Sequence, residues 1–171
     1  VGAVTPAFFG ATETSLYDYY AAIAKSVPED FPIYLYNIPQ CSSNDLPVSV
    51  ADKLARDFKN IVGIKYSFAD MCRTLEYQKV NDGEFSVLHG CDKLVNALMA
   101  MGCDGVVSGV SSVYPELFVA VYQACLRGDW EEAREKQRLA NQVVDILKGG
   151  ASMGHFKEGM KLRGIDAGYV R

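Results

Sequence analysis

Lys65 stands where a predicted strand ends. It closes the run 61–65, whose apolar and β-branched residues predict a buried strand of a parallel sheet. Burial among aliphatic side chains disfavours the ammonium form and lowers the pKa of a lysine, which leaves a free amine that can attack a carbonyl carbon. Lys65 is therefore a candidate Schiff-base residue. The alternative is a lysine whose stem packs on the sheet while its ammonium group reaches water.

Polar residues close the other predicted strands as well. These strand ends are Thr5-Pro6, Tyr36-Asn37, His89-Gly90 and Ser108-Gly109. Taken alone, Tyr36 is better explained as a packed strand tyrosine than as a catalytic one, and His89 fits a structural or pocket-lining histidine better than a catalytic one. If the strands share one parallel sheet, then lysine, tyrosine and several small polar residues meet at one edge of it.

Strand and helix signals alternate along the chain and would place these residues. Predicted strands cover 1–6, 31–36, 61–65, 85–88 and 105–109. Predicted helices cover 12–27, 47–58, 70–80, 90–101, 115–126, 129–148 and 154–162. In the first helix, Leu16, Tyr19, Tyr20 and Ile23 are predicted to form the inner face, and residues 40–46 are predicted to be a loop. Single helices between strands favour right-handed βαβ units and a parallel sheet.

Five such strands fit either a small doubly wound sheet or the last five strands of an eight-stranded barrel. A nucleotide-binding sheet needs a Gly-rich turn after its first strand, and only Gly10 stands there. The predicted fold class is therefore α/β, a (β/α)8 TIM barrel represented by about its last five β/α units. Residues 1–114 are assigned to the C-terminal part of the barrel, about strands 4 to 8, and 115–171 to a C-terminal helical region. In a barrel, chemistry collects at the C-terminal ends of the strands.

Composition disfavours several classes of partner. The net charge is −4 and no basic cluster is present, so nucleic acid and anionic membranes are poor partners, and no apolar run reaches membrane-spanning length. The chain has five cysteines without a Cys-x-x-Cys pair, which suits reduced thiols in a cytoplasmic protein. His89 and His155 are far apart, so no zinc site is predicted.

Four motifs follow one another along the chain. They are Val4-Thr5-Pro6 with aromatic residues after it, Leu35-Tyr36-Asn37-Ile38-Pro39, Val62-Gly63-Ile64-Lys65, and Gly105-Val106-Val107-Ser108. Together they resemble the dihydrodipicolinate synthase and N-acetylneuraminate lyase family of Schiff-base aldolases, and residues 162–171 look like the family's C-terminal region. The resemblance covers nearly the whole chain and favours the catalytic interpretation of Lys65.

The resemblance implies a mechanism and an assembly. Lys65 would condense with the keto group of pyruvate or another 2-keto acid, and Tyr36 would relay protons. Val107 falls where the family contacts pyruvate, and it is also expected to belong to the core. No metal or organic cofactor is implied, because the lysine imine itself is the electron sink. The family resemblance also implies a homotetramer whose partners are a small 2-keto acid and an aldehyde.

The chain also departs from the family pattern. It lacks the Thr-Thr-Gly-Glu loop that holds the substrate carboxylate, and by the register of the motifs it starts at the fourth strand. It therefore looks like an internal to C-terminal segment of a longer protein. Phe8 stands where the synthase borrows a tyrosine across a subunit interface, so the hydroxyl group of that residue is absent.

One departure concerns the substrate. The synthase branch has an arginine that grips the aldehyde substrate's carboxylate, and Cys41 stands in its place. The following Ser42-Ser43-Asn44 suggests hydrogen bonds to hydroxyl groups, as in aldolases that act on sugar acids. On that interpretation Ser67, Gly90 and Asp92 line the polyol side of the pocket.

The sequence therefore predicts a Schiff-base (class I) aldolase that cleaves or forms 2-keto-3-deoxy sugar acids with pyruvate as the keto partner. A dihydrodipicolinate synthase, which joins pyruvate and aspartate semialdehyde, is the alternative within the enzyme class. A catalytically inactive fragment or interaction module of the same fold is the alternative of another class, because the carboxylate-binding loop is missing. A doubly wound nucleotide-binding domain is the least favoured, since it lacks the glycine-rich turn.

Overall fold

The computed structural model describes all residues 1–171. The chain consists of two compact units, Val1–Gly90 and Cys91–Arg171. The sequence-based division at residue 114 stays a prediction. The first unit alternates strands with helices, as the hydrophobic pattern predicts.

The first unit is a parallel sheet with helices between its strands. Its strands are β1 (Gly2–Val4), β2 (Ile33–Asn37), β3 (Ile61–Tyr66) and β4 (Ser86–His89). Its helices are α1 (Glu13–Lys25), α2 (Pro39–Ser42), α3 (Val48–Asp57) and α4 (Met71–Tyr77), with a 3-10 helix at Val80–Gly83. Neighbouring strands pair in parallel in the order β1-β2-β3-β4, which confirms the βαβ organisation.

The sheet of the first unit has one closed face and one open face. Leu35, Ile64 and Val87 are neighbours in the register and are almost fully buried, so their face packs on the helices. Tyr36 and Lys65 are also neighbours, but both are only half-buried. Because side chains alternate along a strand, the order of residues in each strand decides which of them stay accessible.

Local signals explain the helix boundaries. The Thr12 hydroxyl accepts the Ser15 N–H and begins α1 as a cap. The predicted inner face of α1 is partly wrong: Leu16 and Tyr20 are buried, but Tyr19 is partly exposed and Ala24 takes a buried place instead. The helix therefore buries residues spaced by four, with small alanines closest to its neighbours.

The predicted loop 40–46 is partly helical. Pro39 begins the four-residue helix α2, and Ser43 ends it in the left-handed region with φ 64°. Pro47 then precedes α3 with an extended backbone, as a proline before a helix should. The chain between β2 and α3 is thus a structured segment rather than an irregular loop.

The second unit is mainly helical. Its elements are the strand β5 (Gly105–Val106), the helices α5 (Val95–Ala100), α6 (Pro115–Leu126), α7 (Trp130–Ile146) and α8 (Met153–Leu162), and 3-10 helices at Asp92–Leu94, Val110–Ser112 and Lys148–Gly150. A cluster of buried apolar residues forms its core, including Val95, Val113, Phe118, Val121 and Val144. On α7, Glu131, Arg134 and Glu135 are exposed, while Ala133 and Ala140 are buried.

The fifth strand is shorter than predicted. It ends at Val106, and Val107 is 43% exposed, so the expectation that Val107 belongs to the core is wrong. The Ser108 hydroxyl accepts the Ser111 N–H at 2.9 Å, and a 3-10 helix starts at Val110. The chain leaves the extended conformation at Val107 because this polar turn begins at once.

Candidate functional site

Lys65 and Tyr36 lie side by side on the open face of the first unit's sheet. They are register partners on β3 and β2, and the Lys65 Nζ atom lies 3.9 Å from the centre of the Tyr36 ring. An ammonium group over an aromatic face is a favourable cation–π arrangement. The predicted pair of catalytic residues is therefore brought together within the contact distance of one small molecule.

The environment of Lys65 differs from the one that the sequence predicts. Its neighbours Ile64 and Tyr66 are buried, but Lys65 points to the opposite face of β3 and is half-buried. The expected burial among aliphatic side chains is wrong, because the apolar residues of the run lie mainly on the closed face. Lys65 forms no ion pair with a carboxylate, so its amine is not held away from a carbonyl compound.

Gly63 has no side chain, which leaves space for the Tyr34 ring and for Ser86 of β4. A Cβ atom on Gly63 would lie 2.4 Å from the Ser86 carbonyl oxygen and 2.6 Å from the Tyr34 ring. Real Cβ atoms do not approach other atoms so closely, and the carbonyl belongs to the rigid ladder of β4. Glycine at this position therefore allows β4 and the ring of Tyr34 to lie close to the strand that carries Lys65.

Backbone hydrogen bonds continue past the strand ends and stiffen the rim. The Thr5 N–H donates to the Tyr36 oxygen at 3.0 Å, and the Ser67 N–H donates to the Asn37 oxygen at 2.9 Å. The Gly90 N–H donates to the Tyr66 oxygen at 2.8 Å. The residues just after β1, β3 and β4 are therefore fixed relative to the ends of β2 and β3, in the manner of a parallel ladder.

Ser67 and Gly90 are in close contact at this rim. Ser67 is buried, and its hydroxyl has no hydrogen-bond partner. A Cβ atom on Gly90 would lie 2.0 Å from the Ser67 Oγ atom, so only glycine leaves room for the serine. A buried hydroxyl without a partner is costly, and a bound polar group would relieve that cost. Both residues stay predicted substrate contacts.

Ser42 and Asn44 do not have the predicted role. The Ser42 hydroxyl accepts from Thr5 Oγ1 at 2.7 Å and contacts the Asn44 oxygen at 3.0 Å. The Asn44 amide donates to the Pro6 and Phe9 oxygens at 2.7 and 2.8 Å. Both side chains are buried and already bonded, so they hold two loops together instead of facing a substrate hydroxyl.

Gln40 and Cys41 occupy the turn in which the synthase branch of the resemblance has a carboxylate-binding arginine. Cys41 is exposed. The Gln40 Nε2 atom donates to the Ser67 oxygen at 2.6 Å and thus connects α2 to the segment after the lysine strand. No positively charged side chain is supplied by this turn.

The remaining predicted substrate contacts are Phe8, Val107 and Asp92. Phe8 is 84% exposed in the loop after β1, with a positive φ of 82°, and its ring packs edge-on against Phe9. Val107 and Asp92 belong to the second unit, where Asp92 is half-buried at the start of a 3-10 helix. Their contacts with a substrate stay predictions.

His89 has the structural character that the sequence favours. It is fully buried on the closed face, its Nε2 atom lies 3.3 Å from the Thr74 hydroxyl, and its ring packs edge-on against Tyr66. Burial lowers the pKa of His89 to about 4, because an imidazolium cation is poorly solvated there. A neutral histidine on this face supports the sheet.

Sequence reasoning missed a polar cluster behind the site. Asn37, Asp45, Arg73 and Tyr77 are joined by hydrogen bonds on the closed face, directly behind Tyr36. The only signal in the sequence was Asn37 itself, a polar residue at the end of an apolar strand. Its partners come from separate elements and could be identified only from the fold.

Two negative findings complete the description. No group of three or more histidine, cysteine, aspartate or glutamate side chains is arranged to hold a metal ion. None of the helices is both long and apolar enough to cross a membrane.

Comparison with known proteins identifies the family. Residues 1–171 match the dihydrodipicolinate synthetase family. The chain belongs to that family. This membership confirms the resemblance that the four motifs indicate.

Relatives in this family are similar over about half their length. An uncharacterized DapA-like lyase of Halobacterium salinarum is 34% identical over 98% of this chain and 54% of its own length. A 4-hydroxy-tetrahydrodipicolinate synthase of Aquifex aeolicus is 37% identical over 84% of this chain and 48% of its own length. The chain thus spans about half the length of the curated relatives it matches.

Solved structures show the same fold. Dihydrodipicolinate synthase from Aquifex aeolicus has a TM-score of 0.91 and 31% identity, over 99% of this chain and 57% of that one. A 2-keto-3-deoxygluconate aldolase variant from Sulfolobus solfataricus, in complex with L-2-keto, 3-deoxy-galactonate, has a TM-score of 0.89 and 25% identity over 99% and 56%. The dihydrodipicolinate synthetase family chain is therefore part of a (β/α)8 barrel, as predicted.

Proposed function

We propose that the protein is a Schiff-base aldolase that cleaves or forms 2-keto-3-deoxy sugar acids with pyruvate as the keto partner. The observation that carries the proposal is the pairing of Lys65 with Tyr36. The two residues share one face of the sheet, and the Lys65 Nζ atom lies 3.9 Å from the centre of the Tyr36 ring.

The chemistry follows from the two functional groups. The Lys65 amine adds to the keto carbon of pyruvate, and loss of water leaves an imine between Nζ and that carbon. In the cleavage direction the imine forms instead on the keto carbon of the 2-keto-3-deoxy acid, and once protonated it accepts the electron pair of the breaking carbon–carbon bond and becomes an enamine. The enamine takes up a proton at carbon, and hydrolysis of the resulting imine releases pyruvate and the free Lys65 amine. The Tyr36 hydroxyl takes the proton from the substrate hydroxyl as the aldehyde forms, and returns it in the direction of synthesis.

The proposed substrate class rests on what surrounds this pair. Cys41 brings no positive charge to the turn after β2, which disfavours an aldehyde that carries a carboxylate. The buried and unpartnered Ser67 hydroxyl offers a hydrogen bond to a substrate hydroxyl group. A polyhydroxy aldehyde meets both conditions better than aspartate semialdehyde does.

A dihydrodipicolinate synthase activity is the second candidate. It is favoured by the relative from Aquifex aeolicus, which carries that activity in its name and is 37% identical. The aldolase from Sulfolobus solfataricus is 25% identical. Identity alone favours the synthase, whereas the exposed Cys41 favours the sugar-acid aldolase.

Borohydride trapping tests the imine. The protein is incubated with pyruvate and reduced with borohydride, and its intact mass is measured. Wild-type protein and a Lys59→Ala control, which removes an exposed lysine, should gain one reduced pyruvyl group, whereas Lys65→Ala should gain none. A wild-type protein that folds but gains no adduct would contradict the proposal and favour the inactive-module alternative.

A substrate comparison then separates the two activities. Pyruvate is supplied with glyceraldehyde or with aspartate semialdehyde, and carbon–carbon bond formation is measured. Faster turnover of glyceraldehyde supports the sugar-acid aldolase, and faster turnover of aspartate semialdehyde supports the synthase. In the second case a Ser67→Ala variant should retain its rate, because no substrate hydroxyl needs the serine.

A further inference from the structure

We propose that Asn37 is a positioning residue, which acts through the hydrogen bonds of the polar cluster, formed with Asp45, Arg73 and Tyr77, to fix the end of β2 and so the orientation of Tyr36. The role of Tyr36 rests on the proposed function. The polar cluster itself does not, because it consists only of contacts within the first unit.

The polar cluster is made of side chains alone. The Asn37 Nδ2 atom donates to Asp45 Oδ1 at 2.8 Å and to the Tyr77 hydroxyl oxygen at 3.1 Å. An Arg73 NH1 atom donates to Asp45 Oδ2 at 3.2 Å, and the Arg73 Nε atom lies 3.5 Å from Glu76 Oε2. Asn37 and Asp45 therefore connect Tyr77 to Arg73, and the Tyr77 hydroxyl donates onward to the Leu46 oxygen.

Three separate segments meet in the polar cluster. Asn37 ends β2, Asp45 and Leu46 belong to the segment between α2 and α3, and Arg73 and Tyr77 lie on α4. Asn37 and Tyr77 are fully buried, whereas Asp45 is exposed. Burial raises the pKa of Tyr77 to about 12, so its hydroxyl stays protonated and keeps donating at neutral pH. The buried bonds of Asn37 and Tyr77 restrict the arrangement of the segments that they join.

The polar cluster holds the chain one residue beyond Tyr36. Adjacent side chains of a strand point to opposite faces, so Asn37 is held on the closed face while Tyr36 stands on the open face beside Lys65. The Asn37 backbone carbonyl oxygen also accepts the Ser67 N–H at 2.9 Å. The backbone at the end of β2, and with it Tyr36, is thus fixed by the side-chain bonds of Asn37 and by the backbone bonds to β3.

The Oδ1 atom of Asn37 shows that packing alone does not explain why an amide side chain stands at this position. This atom is buried and has no hydrogen-bond partner. An apolar side chain of similar size would avoid the cost of burying that oxygen. The amide is justified by its two donated bonds, to Asp45 and Tyr77, which an apolar residue cannot make.

Exchanging the two ends of one bond tests the polar cluster. Asn37→Asp places two carboxylates at a distance suited to a hydrogen bond, and Asp45→Asn leaves one acceptor oxygen for two donors, Asn37 Nδ2 and Arg73 NH1. The double variant Asn37→Asp/Asp45→Asn restores one amide and one carboxylate in exchanged positions. Asn96→Asp, which changes an amide to a carboxylate in the second unit, is the matched control.

Two readouts separate positioning from stability. Hydrogen exchange of the Thr5 and Ser67 amides, which bond to the Tyr36 and Asn37 oxygens, reports the β2 end directly. Borohydride trapping depends on Lys65 alone, whereas aldol turnover depends on both Lys65 and Tyr36. The ratio of turnover to trapping therefore measures the contribution of Tyr36. In each single variant we expect both amides to exchange about tenfold faster and the ratio to fall about tenfold, with recovery to within about threefold of wild type in the double variant.

The role of the polar cluster is contradicted if the double variant shows no slower amide exchange than the worse single variant, or if both amides exchange at the wild-type rate in Asn37→Asp. The positioning of Tyr36 is contradicted if the melting temperature falls while the ratio of turnover to trapping is unchanged. If wild-type protein traps no pyruvate, the proposed function fails, and the exchange of the two amides still decides whether the polar cluster fixes the end of β2.

Discussion

The face on which a side chain stands decides its accessibility at the scale of single residues. In β3, Ile64 and Tyr66 point to the helices and are buried, while Lys65 between them points away and is half-buried. Tyr36 stands on the same face of β2. A nucleophile has to be accessible to its substrate, so the alternation of the strand places the lysine where the proposed reaction needs it.

Replacing Tyr36 with phenylalanine should separate the two halves of the proposed reaction. The ring that contacts the Lys65 Nζ atom remains, so imine formation with pyruvate should continue. The proton carrier is lost, and turnover of a 2-keto-3-deoxy acid should fall about 100-fold or more. Borohydride trapping and steady-state turnover measure the two steps. Equal loss of both would show that Tyr36 acts in imine formation instead.

His89 should make stability depend on pH. Its pKa in the folded protein is about 4, below the ordinary value of 6.5. Between pH 6.5 and 4 the unfolded chain binds more protons, so the free energy of unfolding falls as the pH is lowered through this window and is fully retained above it. The slope due to one such histidine is at most about 1.4 kcal/mol per pH unit.

Urea unfolding of wild type and His89→Gln at pH 7 and pH 5 measures this contribution. Glutamine keeps a polar group near Thr74 but does not titrate. Carboxylates that also titrate on acidification, such as Asp52 beside Arg56, are the same in both proteins. The wild type should lose about 2 kcal/mol more than the variant. An equal loss would mean that His89 is protonated alike in both states.

At the scale of secondary-structure elements, the loop after β1 is held in place by the side chain of Asn44. Asn44 uses its whole side-chain amide on the loop after β1: Nδ2 donates to the Pro6 and Phe9 oxygens, and Oδ1 accepts the Ala11 N–H at 2.7 Å. That loop contains Phe8, a bulky residue with φ 82°. A non-glycine residue in this region is strained and persists only where neighbouring contacts hold it.

An Asn44→Ala variant should release this loop. Three hydrogen bonds to a buried side chain are lost, so the free energy of unfolding should fall by about 2 kcal/mol. Chymotrypsin should cleave after Phe8 or Phe9 about tenfold faster, because the loop opens more often. Ser43→Asn is the control, since Ser43 is exposed and asparagine tolerates its positive φ. Cleavage at the wild-type rate would show that the loop does not depend on Asn44.

The same elements show where the sequence was sufficient. Apolar β-branched runs located β2, β3 and β4 because their pattern reflects burial, which is a local property. The short helix α2 and the end of β5 at Val106 were missed, because hydrogen bonds made by Ser42 and Ser108 decide them. Side-chain bonds of this kind compete with secondary structure and leave little periodic signal.

The order of the motifs identified the fold at the scale of the whole molecule. That Lys65 and Tyr36 lie side by side could be predicted because strand ends of a parallel sheet meet at one edge, which follows from topology alone. Their proposed roles come from the family resemblance. The polar cluster of Asn37, Asp45, Arg73 and Tyr77 could not be predicted, because its members are brought together from three elements. Distances between side chains of different elements depend on packing, which no single segment encodes.

The five cysteines provide a test of the folded state across the chain. Cys41 and Cys72 are exposed, Cys91 is half-buried, and Cys103 and Cys125 are buried. Burial raises the pKa of Cys103 to about 11 and also raises the pKa of Cys91 and Cys125. Since the thiolate is the reactive form, buried thiols are slow both because reagent is excluded and because little thiolate is present.

Brief alkylation of the native protein at neutral pH should therefore modify Cys41 and Cys72 first, then Cys91. Cys103 and Cys125 should react only as fast as the chain opens, and all five should react in denaturant without a reductant, because none forms a disulfide. Intact mass gives the number of adducts, and peptide mapping gives their positions. A Cys72→Ser variant should lose one of the early adducts. Alkylation of Cys125 as fast as Cys41 would contradict the packed core of the second unit, since that core encloses Cys125.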